Sequence, residues 1–210
     1  LDLGDTQVSD VAALAGLTQM QHLNLRSTQV SDVTALGRLT KLQHLYLNDT
    51  QVSDMTALAG LTELQHLNLG GTQVNDVTAL AGLTQLQCLD LRNTQVSVLT
   101  ALAGLTLLQE LYLRNTQVSD VTALARLTQL LNLYLHDTQV PDVTPLAGLN
   151  QLQHLNLSGF SPDAYWSISN RFAMFGLRCS GQTETQTGQT RTKSGTDVDK
   201  IRSQWDKILS

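Results

Sequence analysis

His44, His66, Cys88 and Glu110 stand at 22-residue intervals, and all four side-chain types ligate zinc. His66 and Cys88 taken alone would also supply a base and a nucleophile. On neighbouring parallel strands, about 4.8 Å apart, such residues project alongside one another, whereas a tetrahedral ion needs its ligands within about 2.0 to 2.3 Å of one point. No orienting group and no oxyanion donor accompanies the His66–Cys88 pair. The sequence also lacks a Gly-rich phosphate loop, a paired-carboxylate motif and a CxxC. Duplication of one surface histidine explains the row. We therefore expect no catalytic residue, no metal and no cofactor, and a chain that is not an enzyme.

The element that must position these residues is a 22-residue unit, present seven times from LDLGDTQVSDVAALAGLTQMQH at residues 1–22 to LYLHDTQVPDVTPLAGLNQLQH at residues 133–154. In register it reads LxxLxxLxLxxTxVxDVxxLxG, and its second copy runs Leu17, Met20, Leu23, Leu25, Thr28, Val30, Asp32, Val33, Leu36. The spacing of two at Leu23 and Leu25 predicts a short strand, and the spacing of three predicts a tight helical turn that returns the chain to the next strand. One unit cannot bury its leucines alone, but stacked units bury them against their neighbours. The expected product is a solenoid.

On these residues the chain resembles the leucine-rich repeat proteins of the 22-residue, internalin-like kind, over residues 1–154. The resemblance implies an α/β leucine-rich repeat solenoid with a parallel concave β-sheet and short helical (3-10) turns on the convex side. It also implies a protein-interaction module. The family's Asn or Cys after the strand is replaced here by threonine, at Thr6, Thr28, Thr50, Thr72, Thr94, Thr116 and Thr138. A hydroxyl donates one hydrogen bond where an Asn amide donates two, and we expect it to pair buried backbone of the adjacent coil. Asp10, Asp32, Asp54, Asp76, Asp120 and Asp142 form a second column, expected to accept backbone N–H groups at the start of each turn. Gly16, Gly60, Gly82, Gly104 and Gly148 are expected as left-handed residues closing the turns, which Arg38 and Arg126 would close less well.

Inward strand positions belong to the core, so a binding function must lie on the outward ones, which form three columns. The first runs His22, His44, His66, Cys88, Glu110, Asn132, His154; the second Asp2, Asn24, Tyr46, Asn68, Asp90, Tyr112, Tyr134, Asn156; the third Gly4, Arg26, Asn48, Gly70, Arg92, Arg114, His136, Ser158. Arg92, Tyr112, Arg114, Tyr134 and His136 fall together on three successive strands. Tyrosine and arginine bury large area while keeping hydrogen-bond donors, which makes them frequent interface anchors. With Tyr46, Glu110 and Asp90 they are the expected contact set for a protein or peptide ligand. Val98 and Leu107 are apolar where other repeats are polar, and would mark a secondary contact or dimer edge on a chain otherwise expected to be monomeric.

Residues 1–154 carry thirteen acids against six Lys or Arg, a net −7, and residues 155–210 carry five against seven, a net +2. No basic face suits nucleic acid, and no apolar run approaches the roughly 18 residues that span a bilayer. Residues 155–178 read as a degenerate repeat and C-terminal cap, with a helix framed by Ser161, Pro162 and Gly176 and striped by Tyr165, Ile168, Phe172 and Phe175. Residues 179–196 read as a flexible polar linker, and 197–210 as a short amphipathic helix bearing Val198, Ile201, Trp205 and Ile208. Two cysteines are too few for a disulfide framework, which favours a cytoplasmic location, with secretion or surface display as the alternative if a signal peptide lies upstream. The start at Leu1, in mid-motif and without Met, points to a fragment. The alternative function is therefore a sensor or regulatory segment of a larger signalling or surface protein.

Overall fold

The computed structural model describes residues 1–158 and the strand Arg178–Ser180. The strands are β1 (His22–Asn24), β2 (His44–Tyr46), β3 (His66–Asn68), β4 (Cys88–Asp90), β5 (Glu110–Tyr112), β6 (Asn132–Tyr134), β7 (His154–Asn156) and β8 (Arg178–Ser180). They form one sheet in chain order, each parallel to the next. Register is in phase with the repeat, so that His22 faces His44 and Leu23 faces Leu45. Strand β8 pairs Cys179 with Leu155, and so carries the sheet across the boundary expected between cap and linker. The helices expected at Ser161–Gly176 and in residues 197–210 lie outside the described residues.

Among the described residues each of β1 to β7 is preceded by a 3-10 helix, seven in all, from η1 (Ala12–Gly16) and η2 (Thr34–Arg38) to η7 (Thr144–Gly148). Their cause is visible in the hydrogen bonds. Leu36 N–H donates to Val33 C=O, Leu39 to Leu36 and Leu42 to Leu39, each at 2.9 Å. An apolar spacing of three matches a helix of three residues per turn, which keeps these side chains on one face. That face and the inward strand leucines meet in a core where Leu36, Leu39, Leu42, Leu45 and Leu47 are fully buried, and the same positions recur coil after coil.

Coils are joined by backbone at two further places. Leu25 N–H donates to Tyr46 C=O at 2.8 Å beyond the strand, and Gln51 N–H donates to Val30 C=O at 3.0 Å on the way to the helix. The threonines therefore need not bridge coils, and they do not. Thr28 Oγ1 donates to Leu25 C=O of its own coil at 2.7 Å, and Thr50, Thr72, Thr94 and Thr116 repeat the bond. This corrects the inter-coil pairing expected from the sequence. A short hydroxyl reaches three residues back along its own turn, while the neighbouring coil's carbonyls already have backbone donors.

The glycine column is also corrected. Among the described glycines only Gly71 has positive φ, at 71°. Gly16, Gly60 and Gly148 would meet nothing within 4 Å if given a Cβ. Arg38 is accordingly accommodated: the residue after it, Leu39, has φ −86° and ψ 58°, close to the −83° and 59° of Leu61 after Gly60. The left-handed position lies elsewhere, just before the threonine, at Asp5, Ser27, Asp49, Gly71, Asn93, Asn115 and Asp137, with φ between 51° and 71°. Short polar residues that bond locally tolerate that conformation better than other side chains.

The aspartate column caps as expected, one residue further out than a standard N-cap. The residue directly before η2 is Val33, and Asp32 Oδ1 reaches past it to accept the Thr34 N–H at 2.8 Å. Asp10, Asp54, Asp76, Asp120 and Asp142 make the equivalent bond. Hydrogen bonds from Thr34 hold the Asp32 carboxyl below its ordinary range. Repeat 5 has Val98 at this position, which supplies no acceptor. Asp76→Ala should therefore lower the melting temperature by about 2–4 °C, and Val98→Asp should raise it. Differential scanning calorimetry of both variants checks this; no shift in either direction would remove the capping role.

Candidate functional site

Strand alternation turns Leu45 into the core and sets His44 and Tyr46 on the other face, and this division repeats in every coil. Because the register is in phase, like residues meet like residues across strands. The imidazoles of His22, His44 and His66 stack, with centroids 4.4 and 4.5 Å apart and planes within 16° and 12°. Stacked rings lie side by side rather than converging. Among the described residues no group of three or more His, Cys, Asp or Glu is disposed to hold a metal ion.

The row then changes character. Cys88 Sγ donates to Glu110 Oε2 at 3.8 Å, and burial first, then Glu110, push its thiol up to about 12. A thiol so held is not a nucleophile near neutrality. The same Oε2 accepts the Tyr112 hydroxyl at 2.9 Å, and Oε1 faces the Asn132 amide at 3.5 Å. Glu110 thus fixes Tyr112, whose ring stacks on Tyr134 with centroids 4.8 Å apart and planes within 5°. The guanidinium of Arg92 sits over Tyr112, 6.0 Å from the ring centroid.

Arg92 is itself held in place. Its Nη2 is 2.8 Å from Asp90 Oδ2, and Asp90 is only 4% exposed, so burial raises its pKa despite the neighbouring cation. A Cβ at Gly70 would lie 3.1 Å from Arg92 Cγ, so the glycine leaves room for the arginine to lie across it. Gly4 gives Arg26 a similar seat, at 3.2 Å from its Cγ.

Arg92, Asp90, Glu110, Tyr112 and Tyr134 are thereby joined in one contact network. Tyr46, 39% exposed, stands apart from them across an open depression of about 320 Å³ floored by Asn68 and Asp90 and edged by His66, Cys88 and Arg92. Arg114 is not joined to the tyrosine pair; its Nε is 3.9 Å from Asp137. His136 lies nearby with a buried, unpartnered Nδ1, its pKa lowered by burial and by Arg114.

One feature of the second column escaped sequence reading. Asp2, Asn24, Asn68, Asp90 and Asn156 each accept the backbone N–H two residues on, at 2.9 to 3.0 Å. They are turn-forming acceptors. Tyr46, Tyr112 and Tyr134 are the positions where that acceptor is given up for an aromatic ring. The preference of Asn and Asp for such turns was the available signal.

The family described as Leucine Rich repeats (2 copies) matches residues 40–82 and 84–126. Internalin C2 of Listeria monocytogenes superposes with a TM-score of 0.78 and 34% identity, over 87% of this chain and 80% of its own. Internalin InlF of the same organism gives 0.74 and 27%, over 87% of this chain and 62% of its own. The ectodomain of the Arabidopsis thaliana membrane receptor kinase GASSHO1/SCHENGEN3, solved in complex with CASPARIAN STRIP INTEGRITY FACTOR 2, gives 0.67 and 25%, over 74% of this chain and 20% of its own. No curated protein matches the chain. Among the described residues no helix is long and apolar enough to cross a membrane.

The histidine stack carries a pH dependence. Burial first, then His66 and His22, lower the pKa of His44 from 6.5. The unfolded chain then binds this proton at a higher pH than the fold does, so stability is full above about 6.5 and falls as pH drops through that value. Melting temperature should decline between about pH 7.5 and 5.5, and less steeply in His44→Gln. Parallel profiles for parent and variant would contradict the assignment.

Proposed function

The chain belongs to the leucine-rich repeat proteins of internalin type, and from that premise we propose that it is an interaction module that takes a protein or peptide ligand on the concave face of its sheet. The observation that carries this reading is the prebuilt row Arg92–Tyr112–Tyr134. Ordering free side chains at an interface costs about 0.5–1.5 kcal/mol each. Here the Tyr112 hydroxyl is already bound by Glu110, its ring is already stacked, and Arg92 is already paired with Asp90. A ligand covering the row gains aromatic area with little further loss of freedom. The rings stand on the face away from the leucine core.

Arg114, His136 and Tyr46 are proposed as the flanks of the same surface. The receptor-kinase ectodomain among the similar structures, solved with its factor bound, supports a second reading in which this chain is the sensor segment of a longer protein. Both readings use the same face, and no catalytic role is assigned to it.

The test uses peptides selected from a random library against the whole chain, with affinities measured by calorimetry. Tyr112→Ala and Tyr134→Ala should each lose about thirtyfold, or about 2 kcal/mol. Gln85→Ala, an exposed position off the strands, should bind as the parent does. Equal affinity for all three variants, with circular dichroism unchanged, would remove the concave face as the recognition surface.

A further inference from the structure

The depression beside Arg92 has a lopsided hydrogen-bond inventory, and that imbalance points to a ligand chemistry. Its carboxylate and side-chain amide oxygens are committed. Asp90 Oδ1 takes the Arg92 N–H at 3.0 Å and Oδ2 faces Arg92 Nη2 at 2.8 Å. Asn68 Oδ1 takes the Gly70 N–H at 3.0 Å, and outside the lining both oxygens of the neighbouring Glu110 face Tyr112, Cys88 or Asn132. Its donors are not. Among the described residues the Asn68 amide NH₂ and the Nε and Nη1 of Arg92 have no protein acceptor, and both residues line the depression.

The three arginines of this column differ in that respect. Arg26 commits Nε and Nη2 to Asp5, at 3.2 and 2.6 Å. Arg114 stands 3.9 Å from Asp137 and has Arg92, not glycine, at the equivalent position of the preceding coil. Arg92 alone combines a fixed guanidinium, a glycine seat and an amide donor in the same hollow. Resting on the reading of the concave face as a binding surface, we infer that this hollow is a subsite for the carboxylate of an acidic side chain on the protein partner, received by Arg92 and Asn68 between the rings of Tyr46 and Tyr112.

The opposing consideration is charge. Asp90 is paired with Arg92, and the remaining acids are spread along repeats that carry a net −7 from thirteen acids and six bases. Beyond about 8 Å such exposed charges are screened, so contact chemistry decides. A cation entering the hollow meets Arg92 first and finds the Asp90 oxygens occupied. A carboxylate meets unpaired donors on two residues, and charge-assisted bonds to guanidinium are about twice as strong as neutral ones. Tyr46 and Tyr112 stand three strands apart, roughly 14 Å at strand spacing, which leaves room for an extended segment between the rings.

The full chain labelled with nitrogen-15 tests this by titration with N-acetyl-glutamate methylamide, and with the glutamine and lysine counterparts. The glutamate probe should shift the Asn68 side-chain amide and the Arg92 Nε–H saturably, at about tenfold lower concentration than the glutamine probe. Arg92→Lys should weaken it about tenfold, because a point charge replaces a planar fork. Gly70→Ala should weaken it too, by displacing Arg92. No saturable shift, equal shifts from glutamine, or tighter binding of lysine would overturn the subsite. A library peptide whose binding Tyr112→Ala abolishes but Arg92→Lys leaves intact would remove the subsite and keep the concave-face reading. Insensitivity to both variants would remove both.

Discussion

The described structure depends on one constraint: a single coil cannot bury its own leucines, so each coil is completed by its neighbours. The backbone enforces the match. Strand pairing, the Leu25-to-Tyr46 bond and the Gln51-to-Val30 bond all join residues at fixed offsets in adjacent repeats. A shift of one residue would turn the inward leucines outward, and the in-phase pairing of Leu23 with Leu45 and of Leu45 with Leu67 avoids it. The outward surface of the sheet follows from the same rule. Residues at one repeat position stand a strand spacing apart, which is near the stacking distance of flat rings, and so Tyr112 meets Tyr134 at 4.8 Å and His22 meets His44 at 4.4 Å. Duplication of an outward residue thus builds an ordered row without a separate structural solution.

The polar residues divide between framework and surface. Threonine ties each turn to its own strand, aspartate opens six of the seven described 3-10 helices, and a short polar residue or glycine with positive φ bends the chain just before the threonine. On the concave face Asn68 and Asp90 still serve the turn, through the Gly70 and Arg92 N–H groups. Where tyrosine replaces such a residue, a turn acceptor is exchanged for contact area. Asp90 and Gly70 show the finest division: neither offers a ligand much surface, yet one anchors the Arg92 guanidinium and the other leaves it space.

The repeat made the solenoid, the strand residues and the 3-10 turns legible, because an apolar period reports directly on which residues are buried. The columns of the concave face followed from alternation alone. The Glu110–Tyr112 bond and the Arg92–Asp90 pair did not, since they depend on rotamers and on space left by Gly70 in the preceding coil. Spacing places Thr28 in the interior but does not say which carbonyl already has a donor, and so does not show that its bond stays within its own coil. Residue type alone points to Gly60 for the left-handed conformation, whereas that conformation belongs to Asp49 and Asn93, whose types also permit it.

Among the described residues two patches are the candidates for contact with a partner. One is the ordered row of Arg92, Tyr112 and Tyr134; the other is Val98 and Leu107, which lie off the strands on either side of the 3-10 helix Thr100–Gly104 and are 60% and 42% accessible. Hydroxyl-radical footprinting of the chain with and without a bound ligand distinguishes them in a single measurement. Oxidation of Tyr46, Tyr112 and Tyr134 should fall on binding while that of Val98 and Leu107 stays constant. Protection of Val98 and Leu107 with the three tyrosines unchanged would contradict the account.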